Sequence, residues 1–228
     1  FTAMDQAKVN AEKNLQNAKA LFESYLQKVF ENHGEDWGEK SLIEITTKVG
    51  SGATPRGGKS SYKNDGISLI RSMNVHDRKF KFKNLAFIDD QQAELLSNVT
   101  LEEGDVLLNI TGASVARCAV VPSEILPARV NQHVSIIRPD EKIVKSKFLN
   151  YSLTSKPIKE KLLFIGSKGA TRQAITKTEI ENFIVNIPDI KKQLELIKNI
   201  EIIHIETQKL ETLYQKKIDA LDELKKSL

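Results

Sequence analysis

The stretch Ile187-Pro188-Asp189-Ile190-Lys191-Lys192-Gln193 decides the architecture. Before it the chain is a series of short apolar segments broken by Gly, Pro, Asn and Asp. After it there is neither Gly nor Pro as far as Leu228. Proline suits the first position of a helix, and aspartate suits its N-cap. Pro188 or Asp189 therefore marks the start of one long helix. Leu210, Tyr214, Ile218, Leu221, Leu224 and Leu228 recur three or four apart along it, the spacing of one helical face. About forty residues at 1.5 Å each reach roughly 60 Å, longer than a domain of this size needs to cover itself.

A second helix of the same kind is expected from about Asp5 to Asn32. Its stripe is Leu15, Ala18, Phe22, Leu26 and Val29, and Asn32-His33-Gly34 supplies the stop. Ala18, Phe22 and Leu26 share their spacing with Ala220, Leu224 and Leu228. Both stripes are narrow and flanked by Lys and Glu, as in helices that pack on each other. Between the helices, strands are expected at Leu42–Val49, Ile67–Ile70, Leu85–Ile88, Asp105–Ile110, Ala116–Val121, His133–Arg138 and Asn182–Ile187, with short helices at Glu141–Tyr151 and Ser155–Leu163. The fold class is α+β: a short-stranded domain over 34–188, flanked by helices at 1–33 and 189–228 that form an antiparallel coiled-coil-like pair. Phe1-Thr2-Ala3 ahead of Met4 reads as a cloning scar. Leu228 falls on an apolar position without a stop signal, which anticipates a continuing chain.

The composition, 40% hydrophobic and 28% charged, is that of a soluble globular chain. No apolar run is long enough to cross a bilayer. The one cysteine, Cys118, excludes an internal disulfide framework and suits a reducing cytoplasm. The net charge of +4 is unevenly placed. Residues 1–33 balance four Lys against four acids, and residues 189–228 balance eight Lys against eight. The whole excess lies in 34–188. Residues 56–83 carry eight basic side chains against Asp65 and Asp77, and residues 142–177 carry nine against Glu160. A polyanion would meet the central domain and not the helices.

Ala53-Thr54-Pro55-Arg56-Gly57-Gly58-Lys59-Ser60 matches a permissive phosphate-loop pattern with Ala for the first Gly. The next residues, Ser61 to Gly66, have turn chemistry and do not form the helix that such a loop opens. A basic loop that meets a phosphodiester backbone is the better reading. His33, His76, His133 and His204 have no metal-like spacing. Gly112-Ala113-Ser114 lacks the flanks of a nucleophile elbow. No catalytic residue, metal site or cofactor is assigned, and the Gly-rich loop and Asn/Asp-Pro-Pro-aromatic tetrad of adenine methyltransferases are not found.

Six pieces in order, Gly52-Ala53-Thr54-Pro55, Ile67-Ser68-Leu69-Ile70-Arg71, Gly104-Asp105-Val106-Leu107-Leu108-Asn109, Asn131-Gln132-His133-Val134, Gly169-Ala170-Thr171-Arg172-Gln173-Ala174-Ile175 and the opening stretch, resemble the specificity subunit of type I restriction–modification systems. The family's helix start usually carries two prolines and Glu-Gln, where this chain has Pro188-Asp189 and Lys192-Gln193. A complete member has two target recognition domains, so this chain resembles half a subunit. The resemblance implies a non-catalytic reader of one half of a split site in double-stranded DNA. It implies helices that set the half-site spacing and dock adenine methyltransferase (modification) subunits, with restriction subunits joined indirectly. A natural half-subunit would dimerise through its helices and read an inverted repeat.

Phosphate contacts position a DNA reader and base contacts specify its target. Lys59, Lys63, Lys79, Lys81 and Lys168 are the phosphate candidates. Arg56, Arg71, Asn74, Arg172 and Gln173 are the base-edge candidates, because Arg pairs guanine and Asn or Gln pairs adenine in bidentate fashion. The competing readings are a coiled-coil scaffold with a basic protein- or RNA-binding domain and a phosphate-loop nucleotide hydrolase. Binding titrations on cognate and random duplexes test the division of roles. Arg172→Ala is expected to relax specificity, whereas Lys59→Ala weakens binding to every sequence and shallows the salt dependence. Equal loss on both duplexes for Arg172→Ala removes it from the base readers.

Overall fold

The structure, a computed structural model, describes residues 2–34, 36–168 and 173–227. It divides into two compact units, one made of Phe1–Asn32 with Glu195–Leu228 and the other of His33–Leu194.

The first unit is a pair of helices, α1 (Thr2–Glu31) and the larger part of a second helix that runs Ile190–Ser227. They are antiparallel. Lys225 reaches Asp5 at 2.6 Å, Lys8 reaches Asp222 at 2.5 Å, and the rings of Phe22 and His204 lie 4.5 Å apart. Ala11, Leu15, Ala18, Phe22, Leu26 and Phe30 form the buried stripe of α1. Val29, expected in that stripe, is not buried, and Phe30 takes its place. On the partner helix, Ile197, Ile200, Thr207 and Ile218 are buried, with His204, Glu211, Tyr214 and Leu221 half-buried between and beyond them. Those eight positions alternate steps of three and four, the 3.5-residue period of a coiled coil. The stripe expected from sequence is corrected here: Leu210 and Leu224 are exposed. The seam runs through His204, Thr207 and Glu211, polar positions that a count of apolar residues passes over.

The second unit is α+β. Its elements in chain order are β1 (Gly38–Ser41), α2 (Leu42–Ile45), β2 (Thr46–Ser51), β3 (Ile67–Ile70), β4 (Val75–His76), β5 (Lys79–Phe80) and β6 (Ala86–Ile88). Then come α3 (Asp90–Leu95), β7 (Val106–Asn109), β8 (Cys118–Val120), β9 (Ala128–Val130), β10 (Val134–Pro139), α4 (Ser146–Thr154), α5 (Lys156–Ser167), α6 (Lys177–Glu181) and β11 (Ile184–Ile187). The helix Ile190–Ser227 is α7. One antiparallel sheet has the order β2-β10-β7-β8. A second, β6-β3-β9, is mixed, with β3 parallel to β9. Two-stranded ribbons β1-β11 and β4-β5 complete it.

The expected strands are present at 67–70, 86–88, 106–109, 118–120, 134–139 and 184–187. Leu42–Val49 splits. Ser41 and Glu44 form a capping box, so Leu42–Ile45 turns once as a helix before β2 begins. Val106–Asn109 is buried throughout and Val134–Pro139 nearly so, because both faces of these central strands are covered. The core gathers Leu69, Ile70, Val75, Ile88, Leu107, Val130, Val134 and Ile136, among others. A buried Leu or Ile of this kind contributes roughly 1.5–3 kcal/mol.

Two polar fastenings hold the frame. Asp105, fully buried, receives Nε and Nη2 of Arg138 at 2.7 and 2.9 Å; Arg138 also donates to the Thr100 carbonyl at 3.1 Å and to Glu102. The pairing raises the Arg138 pKa above its ordinary value, first through the hydrogen bond to Asp105. Gln193, also fully buried, uses its whole amide. Nε2 donates to the carbonyls of Ile143 and Pro188 at 3.0 and 2.9 Å, and Oε1 accepts from the Lys145 N–H at 2.9 Å. Asp189 caps the helix by accepting from the Lys192 N–H at 2.8 Å. Removing one partner of a buried ion pair strands the other charge, which costs about 3–5 kcal/mol. Arg138→Ala is therefore expected to lower the stability of the second unit by that amount in urea denaturation. A loss below about 1 kcal/mol would contradict a buried, structural pair.

Candidate nucleic-acid interface

The loop from Gly52 to Gly66 is fixed at both ends by close backbone approach. A Cβ on Gly52 would lie 1.7 Å from the Val130 carbonyl oxygen. Gly66, at φ +119°, would meet the Ile88 carbonyl oxygen at 2.6 Å. Between them Arg56, Lys59 and Lys63 are exposed. Gly57 and Gly58 both adopt positive φ, and residues 58–61 form a single 3-10 turn. The hydroxyls of Ser60 and Ser61 fold back onto the Gly57 and Gly58 carbonyls at 2.7 and 2.6 Å. The next element is strand β3 and not a helix, so the phosphate-loop reading fails: the loop opens no α-helix whose N-terminus could face it.

Several contacts tie the end of this loop to the segment that follows β3. The Tyr62 ring lies 5.3 Å beneath the Arg71 guanidinium, and Arg71 also donates to the Asn84 carbonyl. The Lys63 N–H bonds to the Phe87 carbonyl at 2.9 Å, and its ammonium pairs with Asp89 at 3.3 Å. Asn74, in the segment after β3, is fully buried. Its Oδ1 accepts from the Arg71 N–H at 3.2 Å, and Nδ2 donates to the carbonyls of Lys81 and Lys83 at 2.9 and 3.4 Å. Asn109, buried at the end of β7, donates to the carbonyls of Ser72 and Val75 at 2.9 and 3.3 Å. The β4-β5 hairpin is pinned by Asp77 to Lys159 and by Arg78 to the Thr154 carbonyl at 3.3 Å. Lys79, Lys81 and Lys83 consequently stand exposed on a secured turn.

The contacts tie the segments of Lys63, Arg71 and Lys81 to one another, with Lys83, which the sequence alone does not single out, while Arg56, Lys59 and Lys79 are exposed on the loop and the hairpin turn. Asn74 is a correction. Its amide is engaged with backbone on both edges and has no exposed surface, so it organises the face and does not read bases. Lys168 stands apart, exposed and 4.7 Å from the Phe164 ring beyond α5. Gln173 is exposed, and its carbonyl accepts from the Gly112 N–H at 3.0 Å. Arg172 lies outside the described residues.

Beside the basic face is a concavity of about 410 Å³, lined by Ser72, Met73, Thr111, Gly112, Ala113, Ser114, Arg117 and His133. Its polar wall is preset. His133 Nδ1 and Thr111 Oγ1 share a hydrogen bond of 2.6 Å, and His133 Nε2 and Gln132 Nε2 one of 3.0 Å. Nearby, His76 is held below its ordinary pKa, first by burial and then by the positive charges of Lys81 and Arg117, and is neutral at physiological pH. Sequence reasoning missed this concavity because its residues come from three separate segments; His133 lay in a family motif, and Gly112-Ala113-Ser114 was weighed only as a nucleophile elbow. Among the described residues no group of His, Cys, Asp and Glu could hold a metal ion. Cys118 is fully buried and its thiol is pushed up to about 12 by that burial, which makes it a poor nucleophile.

A basic α+β domain joined to an antiparallel helix pair is the class of protein that this geometry defines. The chain belongs to the family described as type I restriction modification DNA specificity domain, which it matches over residues 34–220. It is 26% identical to the type I restriction enzyme EcoBI specificity subunit of Escherichia coli, over 73% of this chain and 35% of that protein. Two solved structures share the fold across 99% of this chain and 54% of theirs. One is a chain from a study of type I R-M complex assembly and conformational transition, at TM-score 0.78 and 18% identity. The other is the HsdS subunit of Thermoanaerobacter tengcongensis, at TM-score 0.67 and 16% identity. The chain therefore spans between a third and just over half of the length of these proteins.

The role given to Asn74 is open to test. Asn74→Ala leaves the Lys81 and Lys83 carbonyls without their donor, at a cost of about 1–3 kcal/mol. It is expected to lower the urea midpoint and to speed tryptic cleavage after Lys79, Lys81 or Lys83. Unchanged cleavage with unchanged stability would remove Asn74 as the organiser of the face.

Proposed function

We propose that this chain is the recognition and assembly half of a type I specificity subunit. The second unit reads one half of a bipartite site in double-stranded DNA, and the helix pair carries the protein contacts. What supports this reading is that the segments of Lys63, Arg71, Lys81 and Lys83 are tied to one another through the Tyr62–Arg71 stack and the Asn74 amide, with Arg56, Lys59 and Lys79 exposed on the same stretch of chain. Side chains of this kind suit a run of phosphates, each neutralised phosphate steepening the salt dependence by about 0.9 in log–log slope. Of these, Lys59, Lys63, Lys79 and Lys81 hold backbone and Arg56 reaches for bases. Arg71 is half-buried and already stacked on Tyr62, which suits a clamp on the loop together with a single contact to DNA. Gln173, bonded through its carbonyl to the Gly112 N–H, and the exposed Lys168 add to the DNA contacts, and Arg172 is kept as a base reader on the sequence alone. The chain itself carries out no chemistry; the methyl donor and any cleavage belong to other subunits, acting with it on DNA in the cytoplasm.

The nearly neutral helix pair supports the second half of the proposal. α7 leaves Ile202, Ile205 and Leu213 about half exposed outside the seam, with a groove of about 420 Å³ at Ile205, Gln208, Lys209, Thr212, Leu213 and Lys216. A long helix with one apolar stripe paired and a second one open suits further helices packing beside it. Adenine methyltransferase subunits and the helices of a second copy are the partners proposed for it, with restriction subunits joined through the methyltransferase. Among the described residues no helix is long and apolar enough to cross a membrane.

Co-expression with the cognate adenine methyltransferase in a host without background methylation, followed by genome-wide mapping of methyladenine, tests this reading. A new split palindromic motif is expected if two copies assemble through the helices. A split asymmetric motif would show that a different second domain completes the site. No new methylation from a methyltransferase shown to be folded and able to bind its methyl donor would overturn the proposal.

A further inference from the structure

The guanidinium groups of the described residues divide into those already committed and those left open. Arg78 donates to Thr154, Arg129 to the Ala93 and Ala128 carbonyls, Arg138 to Asp105 and Glu102, and Arg71 to Asn84 while stacking on Tyr62. Arg56 is exposed on the basic loop. Arg117 differs from all of these. It is half-buried and lines the concavity beside the basic face, and its side chain has no hydrogen-bond or ion-pair partner among the described residues. A guanidinium carries five donors in a rigid fork. With no acceptor among the described residues engaging it, that fork is available to an acceptor that enters the concavity.

The rest of the pocket is built to place an acceptor. Arg117 immediately precedes β8, and its backbone is locked by Asn109 N–H to Arg117 carbonyl at 2.8 Å and Arg117 N–H to Ser114 carbonyl at 3.2 Å. Ala116, at φ 64° and with no exposed surface, turns the chain into that position. A left-handed alanine is an uncommon conformation that fixes the direction of the next side chain. His133 opens the strand next to β7 and is held at both ring nitrogens. The side chain of Met73, 43% exposed, supplies an apolar wall. Rigid polar groups on strand ends are what sequence readout needs; mobile lysines serve backbone contact.

We propose that this concavity is the base-reading pocket of the domain and that Arg117 specifies a guanine in the half-site, its fork on O6 and N7 in the major groove. His133 and Thr111 act as positioning residues for the pocket wall. This inference rests on the DNA-reading function proposed above and deepens it.

The test is selection of bound duplexes from a pool with randomised positions, using the full chain, followed by sequencing. Wild type is expected to enrich a motif containing a guanine. Arg117→Ala is expected to keep the other positions of that motif while its preference for the guanine falls about 5- to 150-fold, the range for loss of one bidentate contact. Arg117→Lys, which keeps the charge but not the fork, is expected to lose the same preference. Circular dichroism and urea midpoints confirm that both variants are folded; neither loses a native partner, so both are expected to match wild type. A wild-type motif retained unchanged at every position by folded Arg117→Ala overturns this inference and leaves the DNA-reading function standing. A wild type that enriches no motif overturns both.

Discussion

The loops of the basic face depend on buried asparagine amides. The strands between β3 and β6 form a hairpin of two residues per strand, which offers few backbone partners of its own. Asn74 and Asn109 supply what a longer ladder would have supplied. Asn74 ties Arg71 to Lys81 and Lys83, and Asn109 ties the end of a central strand to Ser72 and Val75. An amide carries donors and an acceptor on one rigid plane, so a single side chain can satisfy several backbone groups that no secondary structure reaches. In a dry site each such bond is costly to lose. The lysines above can remain mobile because the backbone beneath them is fixed by these contacts.

This arrangement separates what the chain needs for stability from what it presents to a partner. The committed arginines, the Asp105–Arg138 pair and the Gln193 amide lie within the frame of the second unit. Exposed charges without a hydrogen-bond or ion-pair partner among the described residues, Arg56, Lys59, Lys79, Lys81 and Lys83 among them, lie on its loops and on the β4-β5 hairpin. The helix unit follows a different logic. Its charges nearly balance, ten Lys against eleven acids, and its seam admits His204, Thr207 and Glu211 where a stronger coiled coil would place leucine. Polar groups in a seam lower affinity and fix register. His204 illustrates this: its ring lies against Phe22, and its Nε2 shares a hydrogen bond with the Gln208 amide at 3.0 Å.

Much of this was legible in the chain. The helix start at Pro188–Asp189 and most of the strands come from Gly, Pro and buried apolar runs, which act locally. The family motifs were legible too, and two of them are now physical: Asn109 is a turn fastener and Gln193 a satisfied buried amide. What local signals did not show was the purpose of an individual polar residue. Asn74 and Arg117 are each one polar side chain in a mixed segment, and sequence reasoning favoured the first as a reader and passed over the second. Their burial and partners are properties of tertiary contact, set by strands far away in sequence. The α7 seam was caught only in part, at Tyr214, Ile218 and Leu221, since His204, Thr207 and Glu211 carry three of its eight positions.

Gly52 and Gly66 have a consequence for how such a protein can change its target. Each glycine is pressed against a carbonyl oxygen of the frame, so the two ends of the basic loop are anchored independently of what lies between them. Of the intervening residues, Pro55 is buried and Tyr62 and Lys63 contact the frame, and Arg56 to Ser60 between them are mostly exposed. The entropic cost of closing a longer loop grows slowly, by about 0.6 kcal/mol for each doubling of length. The exposed part of a loop held this way, Arg56 to Ser60, is an exchangeable cassette: insertions, deletions and new charges there leave the Tyr62 and Lys63 contacts with the frame in place. Evolution of a new preference can then proceed by trading the cassette, without re-solving the fold.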